Sequence, residues 1–280
     1  MEKKFEDLKV STRTIIATCN VEFNIENIFK NVPIQGKTLE GLGSSAIHMM
    51  YYKNKIRRRG DIIEDVDVSK QKTFRNALNV IMMVDDIKKV NFKISKNGKF
   101  QMTGCKNMEH AKLSALVFLE ILAEYVPDSF VLRPNENDDE FRLYFETVMT
   151  NVDCSAGYNI NRKALDHIIN TTTSFHSLLE TSFGYTGVNI KFPVEKNKYD
   201  LEVPVMEWQK RRPETLRQSN QVLRTLTVVK EGKPKFNTFL VFHSGQFIMS
   251  GMCEATMKED YDRFLGILHS YQSEIRDKLD

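Results

Sequence analysis

The sequence predicts an α+β fold made of two pseudo-symmetric repeats, each an antiparallel sheet with helices on one face. Three observations carry this. The motif Gly-x-Phe-x-Met-Thr/Ser-Gly occurs twice, at Gly98–Gly104 and Gly245–Gly251, and the offset of 245 − 98 = 147 is about half of the 280 residues. Each copy follows a strand and a tight turn and precedes an amphipathic helix. Each half holds only two clear helical segments, too few to cover both faces of a sheet, so one face is left for solvent or a partner.

The elements follow in order. Arg13–Phe23 alternates and is β-branched, as a strand does. Asn24 is placed to cap a helix carrying Ile25, Ile28, Phe29 and Val32, which Pro33 ends. Ala77–Val84 is apolar on both faces, a buried strand or one with a ligand on its second face. Asn97-Gly98 is a strong hairpin signal between Lys89–Ile94 and Lys99–Gly104. Asn107 then caps a long apolar-striped helix. Pro127, Pro134 and the polar run Asn135–Glu140 read as a linker. The order then restarts with the strand Leu143–Asp153, a helix capped by Asn161 and the strand Gly187–Phe192. The second hairpin turns at Ser244-Gly245, and Thr256–Glu259 reads as a capping box for the last helix. The expected division is a first repeat over 1–126 with an insertion at about 35–73, a linker over 127–140, and a second repeat over 141–280 with an insertion at about 193–235.

Composition narrows function little. The chain is 41% hydrophobic and 28% charged, with 40 Lys+Arg against 37 Asp+Glu, a net charge of +3. Any nucleic-acid footprint must therefore come from local clustering. No apolar run approaches a membrane span, and the Met1-Glu2-Lys3-Lys4 start lacks a signal-peptide core. Cys19, Cys105, Cys154 and Cys253 form no metal-spaced or Cys-x-x-Cys pair and read as reduced thiols of a cytosolic or nuclear protein. No nucleophile–base order, phosphate loop or metal cluster is present, which argues against an enzyme and for no cofactor and no metal.

Strand alternation separates the hairpin faces. Phe100, Met102, Phe247 and Met249 are expected beneath the helices. Gln101 and Thr103, and in the second copy Leu240, Phe242, Ile248 and Ser250, are expected on the opposite face. That face suits a flat, weakly polar partner.

These residues resemble the TATA-box-binding protein (TBP) family. Phe239–Gly251 (FLVFHSGQFIMSG) matches the family's strand-turn-strand, and Arg13–Ile25 (RTIIATCNVEFNI) its first strand of a repeat. The insertions and the threonines at the central positions are closer to the divergent TBP-like proteins of large nucleocytoplasmic DNA viruses. The resemblance implies a saddle with a curved sheet below and helices above. It implies a transcription initiation factor that binds and bends promoter DNA, AT-rich double-stranded DNA of the TATA-box type, in the minor groove. A TFIIB-like factor or RNA polymerase subunits would dock elsewhere on it, and it would act as a monomer on DNA without a membrane. The expected location is intracellular and reducing: the viral factory in the host cytoplasm, the nucleus, or packaging in the virion.

The DNA-contacting positions implied by the resemblance are Thr14 and Thr147 where the family carries Asn, with Ile16 and Met149 as apolar neighbours. Phe242 stands at an intercalating position and Tyr185, beside Phe183, at its partner. Ile94, with Phe92 on the same strand, and Arg75, beside Phe74, stand at the corresponding positions of the first repeat. Gln101, Thr103, Leu240, Ile248 and Ser250 complete the surface. Arg57, Arg58, Arg59, Lys210, Arg211 and Arg212 are candidate phosphate contacts or solvated loops. Two alternatives stay open: a TBP-fold interaction scaffold without strong bending, and an accessory domain of a nucleic-acid enzyme.

Overall fold

The computed structural model describes residues 4–34, 47–52, 57–60, 77–83, 89–133, 141–179, 187–194, 198–208, 222–231 and 235–277. In chain order these form β1 (Lys9–Cys19), β2 (Val21–Phe23), α1 (Ile25–Asn31), β3 (Ile47–Tyr52), β4 (Arg57–Gly60), β5 (Ala77–Met83), β6 (Lys89–Ser95), β7 (Lys99–Cys105), α2 (Met108–Tyr125) and β8 (Phe130–Leu132). There follow β9 (Phe141–Ser155), α3 (Arg162–Thr172), β10 (His176–Leu179), β11 (Val188–Val194), β12 (Lys198–Trp208), β13 (Val222–Glu231), β14 (Lys235–Val241), β15 (Gln246–Gly251), α4 (Glu254–Ser270) and α5 (Gln272–Ile275). The chain is α+β, and the pairs β6–β7, β5–β6, β3–β5, β3–β4, β2–β8, β9–β12, β9–β15, β14–β15, β11–β14 and β10–β11 are antiparallel.

Two compact units divide it, and the division falls inside β1, β9, β12 and β13. The first-repeat unit holds Thr14–Thr147 and Leu201–Val228. Its sheet runs β1-β7-β6-β5-β3-β4. The second-repeat unit holds Met1–Arg13, Val148–Asp200 and Val229–Asp280. Its sheet runs β10-β11-β14-β15-β9-β1.

Each unit builds its core from three phenylalanines at matching places. In the first, Phe92 of β6 and Phe100 of β7 meet Phe118 of α2, with ring centroids 5.3 and 6.1 Å from Phe118. In the second, Phe239 of β14 and Phe247 of β15 meet Phe264 of α4, at 4.4 and 5.3 Å. All six rings are buried, and each contributes about 1.5–3 kcal/mol of apolar burial. Met102 and Met249 lie beside them, also fully buried.

The helix starts follow from local chemistry. The side chains of Asn24, Asn107 and Asn161 accept from the amides of Asn27, His110 and Ala164 at 3.1, 2.9 and 3.1 Å. These bonds satisfy amides that have no partner within the helix. The expected capping box at Thr256 is not the helix start. The last helix begins at Glu254 after Cys253, and the Thr256 hydroxyl donates to the Cys253 carbonyl at 3.0 Å.

The start of the expected linker is structured. Pro127–Ser129 forms a 3-10 turn, and β8 pairs with β2 in the register Val21↔Leu132 and Phe23↔Phe130. Phe130 is buried, so burial of its ring outweighs the proline and polar signals on either side. The remainder of that linker, 134–140, lies outside the described residues.

The terminal strand β10 has a partner on its outer side. Asn170 of α3 accepts from the Ser177 amide at 3.0 Å and donates to the Ser177 carbonyl at 3.1 Å. Its Nδ2 also reaches the Ser177 hydroxyl at 2.8 Å, and that hydroxyl donates to the Asp166 carboxylate at 2.7 Å.

Candidate nucleic-acid interface

The two hairpins turn in the same way. The Gly98 amide donates to the Ser95 carbonyl at 3.2 Å, and the Gly245 amide to the Phe242 carbonyl at 3.0 Å. Both glycines have positive φ, 76° and 75°. The counterpart of Phe242 is therefore Ser95, 242 − 147 = 95.

This register corrects two expected contacts. Ile94 is the counterpart of Val241, and Phe92 of Phe239. All four are fully buried beneath the helices. The period-2 alternation of β6 sends Phe92 and Ile94 inward, opposite Met102 and Phe100. The first repeat has no apolar side chain at the hairpin position that Phe242 occupies in the second.

The face away from the helices carries the remaining hairpin residues. In the second unit, cross-strand pairing forms the row Leu178–Asn189–Leu240–Ile248–Asp153 and, beside it, His176–Lys191–Thr238–Ser250–Asn151. Leu240, Ile248, Ser250 and Phe242 are half-buried. Met149, Leu178 and Phe236 are exposed at 40%, 64% and 47%, so this face displays large apolar side chains to solvent. The Lys191 ammonium lies 6.0 Å from the centre of the Phe236 ring. In the first unit Gln101 and Thr103 are exposed, and Thr14, Ile16 and Thr147 are half-buried.

The central-strand correspondence also shifts. The Cys19 and Phe23 amides donate to the Gly98 and Lys96 carbonyls, both at 2.8 Å. In the second repeat the Ala156 and Ile160 amides donate to Gly245 and His243 at 2.9 and 2.8 Å. Cys19 therefore matches Ala156, an offset of 156 − 19 = 137, and the helix caps keep it, 161 − 24 = 137. Carried back along the strands, Thr14 matches Asn151 and Ile16 matches Asp153. Thr147 and Met149 are not the repeat counterparts, although Met149 shares the open face with Asn151. Sequence reading missed Asn151 because β9 is 15 residues long and carries no internal marker of register. Counting back from the Asn161 cap locates it.

Asn151 is held in place. Its amide nitrogen donates to the Thr12 hydroxyl at 3.0 Å, and its carbonyl accepts from the Ser11 hydroxyl at 3.2 Å. Its side-chain oxygen has no partner among the described residues. Beside it, burial first and the Asp153 charge second push the Cys154 thiol up to about 12, so the thiol stays protonated and unreactive.

The outer strands differ between repeats. Register pairs Tyr51 with Asn79 and Met49 with Ile81 in the first unit, the counterparts of Leu178 with Asn189 and His176 with Lys191. Met49, Tyr51, Asn79 and Ile81 are all buried. Burial raises the Tyr51 phenol, and a hydrogen bond with Asn91 opposes that shift. Both amide atoms of Asn79 lack partners among the described residues.

The phosphate candidates separate. Arg59 donates through Nη1 to the carbonyls of Phe29, Lys30 and Val32 at 2.6, 2.7 and 3.0 Å. It closes the C-terminus of α1, a backbone role that accounts for its Nη1 without any phosphate. Arg58 is exposed beside it. Phe74, Arg75, Phe183, Tyr185, Lys210, Arg211, Arg212 and the Arg57 side chain lie outside the described residues.

No protein-family model matches the chain. It is 24% identical over 290 residues to the uncharacterized protein 335L of Invertebrate iridescent virus 6, covering 96% of this chain and 86% of that one. It is 29% identical over 153 residues to a TATA-box-binding protein-like protein of Acanthamoeba polyphaga mimivirus, covering 47% of this chain and 41% of that one. Among solved structures it is similar to the TBP of Methanococcus jannaschii, with a TM-score of 0.47, 11% identity, and coverage of 94% and 98% of the two chains.

Proposed function

We propose that this chain is a TBP-like transcription initiation factor that binds AT-rich duplex DNA in the minor groove and bends it. The observation that carries this reading is the open face of the second hairpin. There Phe242, Leu240 and Ile248 form an apolar strip with the small hydroxyls of Thr238 and Ser250 beside it. Such a strip fits the floor of a minor groove, and a ring at its end fits between two base pairs. Unstacking a step costs a few kcal/mol, least at TA steps, so the sequence preference comes partly from deformability. The similarity to the mimivirus TATA-box-binding protein-like protein supports the same reading. The helix-bearing faces are left for a TFIIB-like factor or RNA polymerase subunits. Four free cysteines, three of them buried, accord with action in a reducing compartment, the host cytoplasm or nucleus.

A fluorescence bending assay on AT-rich duplexes at low salt tests the proposal. A bend centred on a TA step is expected, and a bound but straight duplex would overturn it. Ser95 at the place of Phe242 favours the scaffold reading to this extent: one repeat alone supplies the hairpin wedge. The straight-duplex outcome would establish that reading.

A further inference from the structure

The repeat register exposes a chemical asymmetry between the two hairpins. On the open face of the second, the residues are Phe236, Thr238, Leu240 and Phe242, then Gln246, Ile248 and Ser250, none of them charged. Subtracting 147 places Lys89, Asn91, Lys93 and Ser95, then Lys99, Gln101 and Thr103, at the same positions of the first. Every apolar residue of the one face is replaced by a polar or cationic residue in the other. Three lysines appear. Lys89, Lys99, Gln101 and Thr103 are exposed, and Asn91, Lys93 and Ser95 half-buried. Lys89 and Lys93, four residues apart on one strand, are about 13 Å apart along it.

A half-buried apolar strip and a row of ammonium groups meet different parts of a duplex. The strip suits desolvated base edges and opened steps. Ammonium groups gain by neutralising phosphates and releasing counterions, with no sequence preference. Cations set along one face of a hairpin, with Lys89 and Lys99 exposed, suit a polyanion and no neutral surface.

We propose that the two repeats divide the recognition of DNA: the second enters the groove, and the first binds phosphates through Lys89, Lys93 and Lys99. This rests on the proposed function for its ligand, but it makes a separate claim about which chemistry each repeat supplies.

The test uses the full chain carrying Lys89→Gln, Lys93→Gln and Lys99→Gln together. Binding to an AT-rich duplex is titrated across salt concentrations, and bending is read in parallel. The slope of log K against log salt is expected to shallow by about 2–3, close to 0.9 for each phosphate no longer neutralised. The bend angle and AT preference should persist. Leu240→Ala with Ile248→Ala should do the reverse, weakening bending and AT preference at an unchanged slope. A slope unchanged in the lysine variant overturns the proposal, as does loss of bending without loss of slope. A straight duplex bound by the unaltered chain overturns the proposed function alone, because the slope is read from binding and not from bending. Thermal melts of each variant confirm that the fold is intact.

Discussion

The Gly245 amide donates to the Phe242 carbonyl at 3.0 Å, and this bond sets the Phe242 ring at the end of the open face. An alanine at 245 would bring its Cβ within 1.9 Å of the Tyr158 carbonyl, so the turn admits only glycine there. Phe242 itself is half-buried, unlike Phe239 three residues earlier. Phe242→Ala should therefore cost about 1 kcal/mol of stability, well below the ~3–5 kcal/mol expected for Phe239→Ala. It should nevertheless abolish most of the DNA bend. Urea unfolding beside the bending assay checks both numbers. A large stability loss with unchanged bending would return Phe242 to the core.

Arg59 supplies a contrasting case. Its guanidinium closes three carbonyls at the end of α1. Arg59→Ala should lower stability by about 1–2 kcal/mol through the removal of those charge-assisted bonds. The salt dependence of DNA binding should not change. A shallower salt slope would show that Arg59 reaches phosphate after all.

Asp260 sets a pH dependence. It is buried, accepts from Asn237 Nδ2 at 2.7 Å and faces Arg263 Nη1 at 3.4 Å. Burial is the largest influence and raises its pKa; the Asn237 bond and the Arg263 charge oppose it. A carboxyl whose folded pKa is raised stabilises the fold fully below its unfolded pKa. That contribution is lost as pH rises through the folded value. Stability should therefore fall with rising pH just above the usual carboxylate range. Asp260→Asn should flatten that segment of a plot of melting temperature against pH. An unaltered slope would locate the titration elsewhere.

Asn79 carries a cost with no visible return in folding. Its amide is buried and unpartnered among the described residues. Replacing such a group by an apolar one of similar size removes a desolvation penalty of about 1–3 kcal/mol. Asn79→Leu should raise the urea midpoint at unchanged m-value. A lower midpoint would mean that the amide is satisfied in solution.

The fold is legible in the sequence because its signals are local and repeated. The two Gly-x-Phe-x-Met motifs, the Asn caps and the alternation around Phe100 and Phe247 each act over a few residues, and each forms the expected element. Sequence and structure part where register has to be carried over distance. Resemblance of short strings pairs Thr147 with Thr14, whereas backbone bonds to the hairpin turns set the match at Asn151. Ile94 has the marks of a wedge, being apolar and near the turn; alternation from Phe100 points it inward. Arg59 looks in sequence like one of three equivalent arginines. Only the proximity of the end of α1, 27 to 30 residues away along the chain, gives it a separate task.

Asn170 has a consequence beyond its own helix. Its side chain takes both backbone groups of Ser177 that an incoming strand would otherwise claim. A sheet that displays Leu178 at its margin would otherwise be a template for another chain. One amide side chain thus limits the growth of the sheet, and this protects the solubility of a chain that exposes apolar side chains such as Leu178 and Phe236.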